Sequence, residues 1–274
     1  MSGGRLERRL AAEVARASAD FGLLEPDDRV MVCVSGGKDS LVLLRLLRGI
    51  ARRAPFPFSL VAVHLDQGTP GFPTDAVEAH LQREGVPYRI VREDVYGIVR
   101  DRLRLGATPC ALCSRLRRGI LYNVAVELGA SKVALGHHRD DVIETLLLNL
   151  MYTGQLKAMP PRLRSDDGRN VVIRPLAYVA EADLVACAAE LGLPVIPASP
   201  CGIAPDLKRK WVKGLVAELA RDNPHLRGNL FAATQNVRPS HLLDRELWRA
   251  LGVRGALEGA AAPRPPRRAA PDGG

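Results

Sequence analysis

The chain has 274 residues, 47% of them hydrophobic, and a formal net charge of +9. It has no apolar run near the ~20 residues that a membrane span needs, and it has enough apolar side chains for a buried core. The first ten residues, MSGGRLERRL, lack the apolar centre of a signal peptide, so we expect a cytoplasmic protein without a membrane partner. The excess of basic residues favours a polyanionic partner.

Apolar spacing predicts alternating helices and strands along the first two thirds of the chain. Strands are expected over residues 30–34, 58–65, 86–91, 132–136 and 171–173. Helices are expected over residues 5–22, 41–50, 74–84, 95–105, 114–128 and 142–151, with Thr74 and Ser114 as N-caps and Gly129 as a terminator. This alternation predicts an α/β fold with a doubly wound parallel sheet.

A glycine-rich hexapeptide follows the first predicted strand: Ser35-Gly36-Gly37-Lys38-Asp39-Ser40. The two glycines permit positive φ and close backbone approach, and the free N–H groups of the following helix point at an anion. The serine hydroxyls add donors, Lys38 adds a cation, and Asp39 can hold Mg²⁺. A phosphate site is therefore predicted at the carboxyl end of the sheet, where ligands bind in such folds.

The hexapeptide differs from the common GxxxxGK[ST] phosphate loop, which is longer and places its lysine before the hydroxyl residue. It resembles the pyrophosphate loop of the ATP pyrophosphatases. Those enzymes cleave ATP between the α and β phosphates and adenylate an oxygen of the acceptor. The alternative is an ordinary glycine-rich turn.

The five cysteines fall into two groups. Cys33 in an apolar strand and Cys187 in an alanine-rich helix are expected to be buried packing residues. Cys110 and Cys113 form a CxxC at a helix start, and Cys201 lies in a Pro-Cys-Gly loop. These three allow a zinc site lacking a fourth ligand, a redox dithiol, or an iron–sulfur cluster with one open iron.

Basic residues cluster around the cysteine pair. Because aromatic residues make up only 4% of the chain, phosphate contacts are a better expectation than base stacking. The clustered residues are Arg100, Arg102, Arg104, Arg115, Arg117 and Arg118.

Several stretches together resemble the tRNA 2-thiocytidine synthetase family, the tRNA-cytidine(32) 2-sulfurtransferases. They cover most of residues 5–248 in the family's order. The stretches are SGGKDS, HLDQGTPGFP, CALCSRLRRGILYNVA, LGHHRDDVIETLLLN, SDDGRNVVIRPLAY, PCG and QNVRPSHLLD. Thr74 departs from the pattern, which has an acidic residue there.

The resemblance implies an enzyme that uses ATP and Mg²⁺ to replace the C2 oxygen of cytidine 32 in tRNA by sulfur. It implies adenylation of that oxygen, with pyrophosphate at residues 35–40, and catalytic roles for Lys38 and Asp39. It also implies a [4Fe–4S] cluster on Cys110, Cys113 and Cys201 that holds the attacking sulfur, a cysteine desulfurase as sulfur donor, and a homodimer.

Four further residues are assigned to the nucleotide site: His64, Gly136, Asp140 and Asp141. The two aspartates are candidates to share Mg²⁺ with Asp39, and the neighbouring His137 and His138 are candidates to contact phosphate. The alternative for this HHRDD segment is a solvated turn with Asp140 as a helix N-cap.

The chain is expected to divide into an N-terminal helix (residues 1–28), an ATP-binding α/β domain with a CxxC insertion (29–203), a helical region (204–251) and a disordered basic tail (252–274). In the helical region, segments are expected over 206–221 and 226–237, with a last one ending near Trp248.

Three rival functions remain open from the residues alone. One is the same enzyme with a cysteine persulfide on Cys110 or Cys113, resolved by Cys201. Another is a different acceptor on the same loop, such as a tRNA amidation or ligation. The third is a basic iron–sulfur module that binds RNA without catalysis.

Overall fold

The computed structural model describes residues 4–103, 109–196 and 207–252, with the backbone alone for residues 103 and 109–111. Two compact units divide at Gly228. The predicted boundary at residue 203 and almost all of the predicted tail lie outside the described residues. No helix in the described ranges is long and apolar enough to cross a membrane.

The first unit is built on a six-stranded sheet. Its strands are β1 (Arg29–Cys33), β2 (Ser59–Asp66), β3 (Tyr88–Arg92), β4 (Lys132–Ala134), β5 (Arg162–Arg164) and β6 (Val171–Ile173). Its order is β3-β2-β1-β4-β6-β5, and only β5 runs antiparallel to its neighbour. The predicted parallel sheet is thus confirmed, with one antiparallel edge strand that the sequence did not reveal.

Helices follow most of the strands. They are α1 (Arg5–Phe21), α2 (Lys38–Ala51), α3 (Thr74–Glu84), α4 (Val95–Leu103), α5 (Pro109–Glu127), α6 (Arg139–Tyr152), α7 (Glu181–Glu190), α8 (Leu207–Asp222) and α9 (Leu226–Ala233). In the second unit, a 3-10 turn at Pro239–His241 precedes α10 (Arg245–Ala250). The helical pattern expected beyond residue 203 is therefore present in the described residues.

Hydrophobic cores lie on both faces of the sheet. On one face, α1, α2, α3 and α7 pack over alternate residues of the strands, such as Val30 and Val32. On the other face, Met31 and Val133 pack against Val124 of α5. Because both faces are covered, β1 is an uninterrupted apolar run rather than an alternating one. This is the doubly wound arrangement predicted from the sequence.

Two predicted helix caps are wrong. Ser114 lies inside α5, which begins at Pro109. Thr74 is the first residue of α3, and Pro73 is its N-cap. The Thr74 hydroxyl instead donates to Asp66 Oδ2 at 2.8 Å, which ties α3 to the end of β2. A favourable local capping residue is therefore used for a tertiary contact.

Replacing Thr74 by valine tests that contact. The hydroxyl is buried, so its loss should lower the free energy of unfolding by about 1–2 kcal/mol. The matched control is Thr153→Val, because the Thr153 hydroxyl bonds an exposed helix end and should change stability by no more than about 0.5 kcal/mol. Urea unfolding measures both, and equal stability of the two variants would contradict the assignment.

Candidate nucleotide and sulfur-transfer site

The predicted phosphate loop joins β1 to α2, beside the point where the strand order reverses. Successive connections lead from β1 to β2 on one side, whereas β4 pairs with β1 on the other. Loops that leave the carboxyl ends of β1 and β4 therefore diverge to opposite faces and open a crevice between them. The sheet topology places the hexapeptide at this crevice.

The two loop glycines have different backbone conformations. Gly36 has φ 85°, and a Cβ there would lie 3.0 Å from Ile196 Cδ1. Gly37 has φ −74° and ψ 156°, which any residue adopts, and it is the N-cap of α2. The expectation of positive φ therefore holds for Gly36 and is wrong for Gly37.

The two serine hydroxyls brace the loop. Ser40 Oγ accepts the Ser35 N–H at 3.1 Å and donates to the Gly37 carbonyl at 2.9 Å. Ser35 Oγ lies 3.2 Å from Ser40 Oγ. These contacts close the loop on the first turn of α2, whose N–H groups are suited to bind an anion.

Gly136 permits the close approach of the β4 loop to the phosphate loop. A Cβ at this position would lie 3.1 Å from the Ser40 backbone nitrogen and 3.2 Å from the Asp39 carbonyl carbon. These backbone atoms cannot rotate away as a flexible side chain would. The structure therefore gives a steric reason for glycine at a residue assigned to the nucleotide site.

The HHRDD segment forms a capping box. His138 is the N-cap of α6, and its backbone N–H donates to Asp141 Oδ2 at 3.0 Å. The alternative that Asp140 is the N-cap is therefore wrong. Burial lowers the pKa of His137 to about 4, so its imidazole is neutral near pH 7 and adds no positive charge to the site.

Asp140 and Asp141 bind basic side chains. Asp140 accepts Arg227 Nη1 on Oδ1 at 2.8 Å and the Glu181 backbone N–H on Oδ2 at 2.8 Å. Asp141 accepts Arg209 Nη1 at 3.2 Å. Both oxygens of each carboxylate therefore already accept hydrogen bonds, whereas Asp39 has one oxygen without a partner among the described residues, which makes Asp39 the better candidate for Mg²⁺.

Asp39 keeps an acceptor available. Its Oδ2 accepts Lys38 Nζ at 3.2 Å, whereas Oδ1 is buried and accepts no hydrogen bond from any described residue. A buried carboxylate oxygen is costly to leave unpaired, and carboxylate oxygens suit Mg²⁺. No three His, Cys, Asp or Glu side chains within residues 4–103, 109–196 and 207–252 converge on a metal position.

His64 forms part of the crevice wall. Its Nδ1 lies 2.8 Å from the Val34 carbonyl, and its ring stacks on Phe72 with 5.4 Å between centroids. Burial lowers its pKa, so the ring is neutral near pH 7. Its other nitrogen, Nε2, is buried and finds no partner among the described residues, which suits a hydrogen bond to a bound ligand.

The crevice is a cavity of about 640 Å³. It brings together six of the predicted nucleotide-site residues, Ser35, Asp39, Ser40, His64, Gly136 and Asp141, whereas Gly36, Gly37, Lys38 and Asp140 do not line it. The sequence had not assigned several other lining residues to the nucleotide site: Gln67, Phe72, Arg117, Glu144, Glu181, Arg209, Lys210 and Lys213. The basic run at residues 208–213 was the one local signal that could have pointed to α8.

Of the three loop cysteines, only Cys113 has a described side chain. Cys110 lies one helical turn earlier in α5, and Cys201 lies outside the described residues. Cys113 Sγ lies 3.7 Å from Gln67 Oε1, and Gln67 lines the cavity. Arg117, one turn beyond Cys113, lines it too. The CxxC helix therefore forms the cavity wall, next to the phosphate loop.

Cys187 is a buried packing residue, as expected, whereas Cys33 is only partly buried and lines the cavity, so the prediction of full burial is wrong for Cys33. Burial raises the pKa of the Cys33 thiol to about 12 and that of Cys187 to about 11, so neither is a thiolate near pH 7. Cys187 is 1% exposed in the core under α7. Cys33 ends β1 and packs against the core under α5.

Comparisons with known proteins agree with this arrangement. Residues 6–196 match the PP-loop domain family. A tRNA-cytidine(32) 2-sulfurtransferase of Anaeromyxobacter sp. (strain K) is 57% identical over 90% of this chain and 85% of its own length. The chain belongs to this family. Relatives with the same name from Bordetella avium and Yersinia pestis are 54% and 51% identical, over 92% and 89% of this chain and 80% and 78% of their own lengths.

A solved structure supports the fold of the family member. The U34-tRNA thiolase NcsA from Methanococcus maripaludis, with its [4Fe–4S] cluster, matches 84% of this chain and 78% of its own with a TM-score of 0.70 and 25% identity. The sulfurtransferase family and the PP-loop fold inferred from the sequence are both confirmed.

Proposed function

We propose that this sulfurtransferase uses ATP to convert cytidine 32 of tRNA to 2-thiocytidine. The observation that carries the proposal is one cavity lined by both the phosphate loop and the CxxC helix, through Ser35, Asp39 and Arg117. Close relatives named for the same reaction support the choice of base and position.

The phosphate loop would activate the base. The C2 oxygen of cytosine is a poor leaving group, and transfer of AMP to it creates a good one. Pyrophosphate would leave toward residues 35–40, where the first N–H groups of α2 and the Lys38 ammonium offset its charge. Burial disfavours charge on Lys38, but Asp39 and Glu181 raise its pKa, so the lysine stays protonated.

Asp39 would hold Mg²⁺ through its buried, unpaired Oδ1. The ion would offset the negative charge that develops on the leaving pyrophosphate. Neutral His64 donates its Nδ1–H to the Val34 carbonyl, so its Nε2 would accept a hydrogen bond from the nucleotide, and Gly136 would keep the β4 loop close to the phosphate loop.

Cys110, Cys113 and Cys201 would hold a [4Fe–4S] cluster. The described member of this set fits, because Cys113 Sγ contacts Gln67, a residue that lines the same cavity as the phosphate loop. The cluster would supply the sulfur that replaces the C2 oxygen.

The partners follow from this chemistry. tRNA supplies the acceptor base, and the excess of 39 basic over 30 acidic residues favours its backbone. A cysteine desulfurase would supply sulfur, and a cytoplasmic homodimer is the proposed working form.

Reconstitution with purified components tests the proposal. The anaerobically purified protein, with ATP, Mg²⁺, tRNA and a sulfide source, should form AMP and 2-thiocytidine in equal amounts. The matched control is the same tRNA with uridine at position 32, which should give neither product. AMP and thionucleoside formed equally on both tRNAs, or full activity in a preparation without iron, would contradict it.

A further inference from the structure

Two lysines from distant parts of the chain bind one carboxylate in the nucleotide cavity. Lys38 Nζ of the phosphate loop lies 3.2 Å from Glu181 Oε1. Lys213 Nζ of α8 lies 2.8 Å from the same oxygen and 2.6 Å from Oε2. Glu181 and Lys213 both line the cavity. The two ammonium groups therefore already converge on a single anion.

The backbone of Glu181 is held in place by a buried carboxylate. Its backbone N–H donates to Asp140 Oδ2, and Asp140 in turn binds Arg227 and is almost fully buried. The Glu181 side chain can move away from the lysines because it is 23% exposed, and the Lys213 side chain is 50% exposed. The carboxylate can therefore swing away without opening the core.

Glu181 stays negatively charged between the two lysines. Burial alone would raise the pKa of Glu181, but hydrogen bonds from Lys213 and Lys38 outweigh burial and lower it to about 2. The carboxylate carries one charge between two cations. A polyphosphate carries more charge and more acceptor oxygens, so it should compete well for the same donors.

We propose that Glu181 occupies the position of an anion, and that the β and γ phosphates of ATP displace it to bind Lys38 and Lys213 together. The inference rests on the nucleotide site proposed above and extends it in two ways. It adds a phosphate-binding residue, Lys213, from outside the PP-loop match. It also makes Glu181 a competing anion that occupies both lysines until the nucleotide binds.

A role for Glu181 in helix stability alone makes a different prediction. Asp183 lies in the same first turn of α7 and binds Arg9 in an exposed ion pair at 2.6 Å. It contributes the same charge to the helix terminus but does not line the cavity. Asp183→Asn is therefore the matched control for Glu181→Gln.

Calorimetric titration of pyrophosphate and ATP, with Mg²⁺ and without tRNA, tests the inference on the full-length, cluster-reconstituted protein. Glu181→Gln should bind pyrophosphate roughly three- to tenfold more tightly, because the competing charge is gone. Lys213→Met should bind it at least about tenfold more weakly, and Lys213→Arg should restore most of the affinity. AMP, which lacks the β and γ phosphates, should bind all variants equally.

Unchanged or weaker pyrophosphate binding by Glu181→Gln would overturn the inference, as would wild-type affinity in Lys213→Met. The same increase in Asp183→Asn would also overturn it. A wild-type protein that binds neither ATP nor pyrophosphate would overturn both this inference and the proposed function. If the titrations behave as expected but tRNA is not thiolated, the inference stands and the proposed acceptor is wrong.

Discussion

Replacing Gly136 by valine should abolish ATP-dependent AMP formation in a protein that still folds. The valine Cβ would lie 3.1 Å from the Ser40 backbone nitrogen, and its methyl groups would need still more space. The β4 loop and the phosphate loop would have to separate. Because displacing reacting groups by about 1 Å costs on the order of 100-fold in rate, we expect at least that loss, with a smaller loss for Gly136→Ala.

The control for this variant is Gly228→Ala. Gly228 lies in α9, and a Cβ there meets no atom within 4 Å. AMP formation by Gly228→Ala should match the wild type, and circular dichroism should show that all the variants keep their helices. Wild-type rates and ATP affinity in Gly136→Val would show that the close approach of the two loops is not needed.

Replacing Lys132 by methionine should produce the largest loss of stability. Lys132 Nζ binds Asp28 Oδ2 at 2.7 Å and Glu25 Oε2 at 2.6 Å, and the Lys132 and Asp28 side chains are only 3% and 7% exposed. Removing the cation leaves Asp28 buried without its counter-charge. The expected loss is about 3–5 kcal/mol in the free energy of unfolding, measured by urea denaturation.

The partners of Lys132 provide internal controls. Glu25 is 51% exposed, so Glu25→Gln should cost no more than about 1 kcal/mol. The double variant Lys132→Met with Asp28→Asn should lose less stability than the sum of the two single variants, since neither residue is left as an unpaired buried charge. Additive losses would show that the buried pair is not the cause.

The elements predicted correctly from the sequence are those whose pattern is local. The β1 strand is buried on both faces and followed directly by the phosphate loop, so its apolar run and the hexapeptide were visible without any tertiary information. The antiparallel strand β5 was missed because its three residues, Arg162–Arg164, are all exposed and have no apolar pattern. It is a strand only because β6 lies beside it.

In the candidate site, too, the residues predicted from the sequence are those in local motifs. The phosphate loop and Gly136 could be assigned from motifs within single segments. The ion pairs that Glu181 makes with Lys38 and Lys213 join residues far apart in the chain, and no spacing rule predicts them. Likewise, Thr74, predicted as an N-cap, and Asp140, the alternative N-cap of the HHRDD segment, instead use their side chains for tertiary contacts, with Asp66 in one case and with Arg227 and Glu181 in the other.

Nucleoside analysis of tRNA from a strain lacking the gene for this chain shows whether the chain thiolates cytidine in the cell. We expect 2-thiocytidine to disappear from the tRNA. It should return when the wild-type chain is supplied, but not when the Cys113→Ser or Lys38→Ala variant is supplied at equal abundance. Unchanged 2-thiocytidine in the deletion strain would contradict the claim that this enzyme introduces the sulfur.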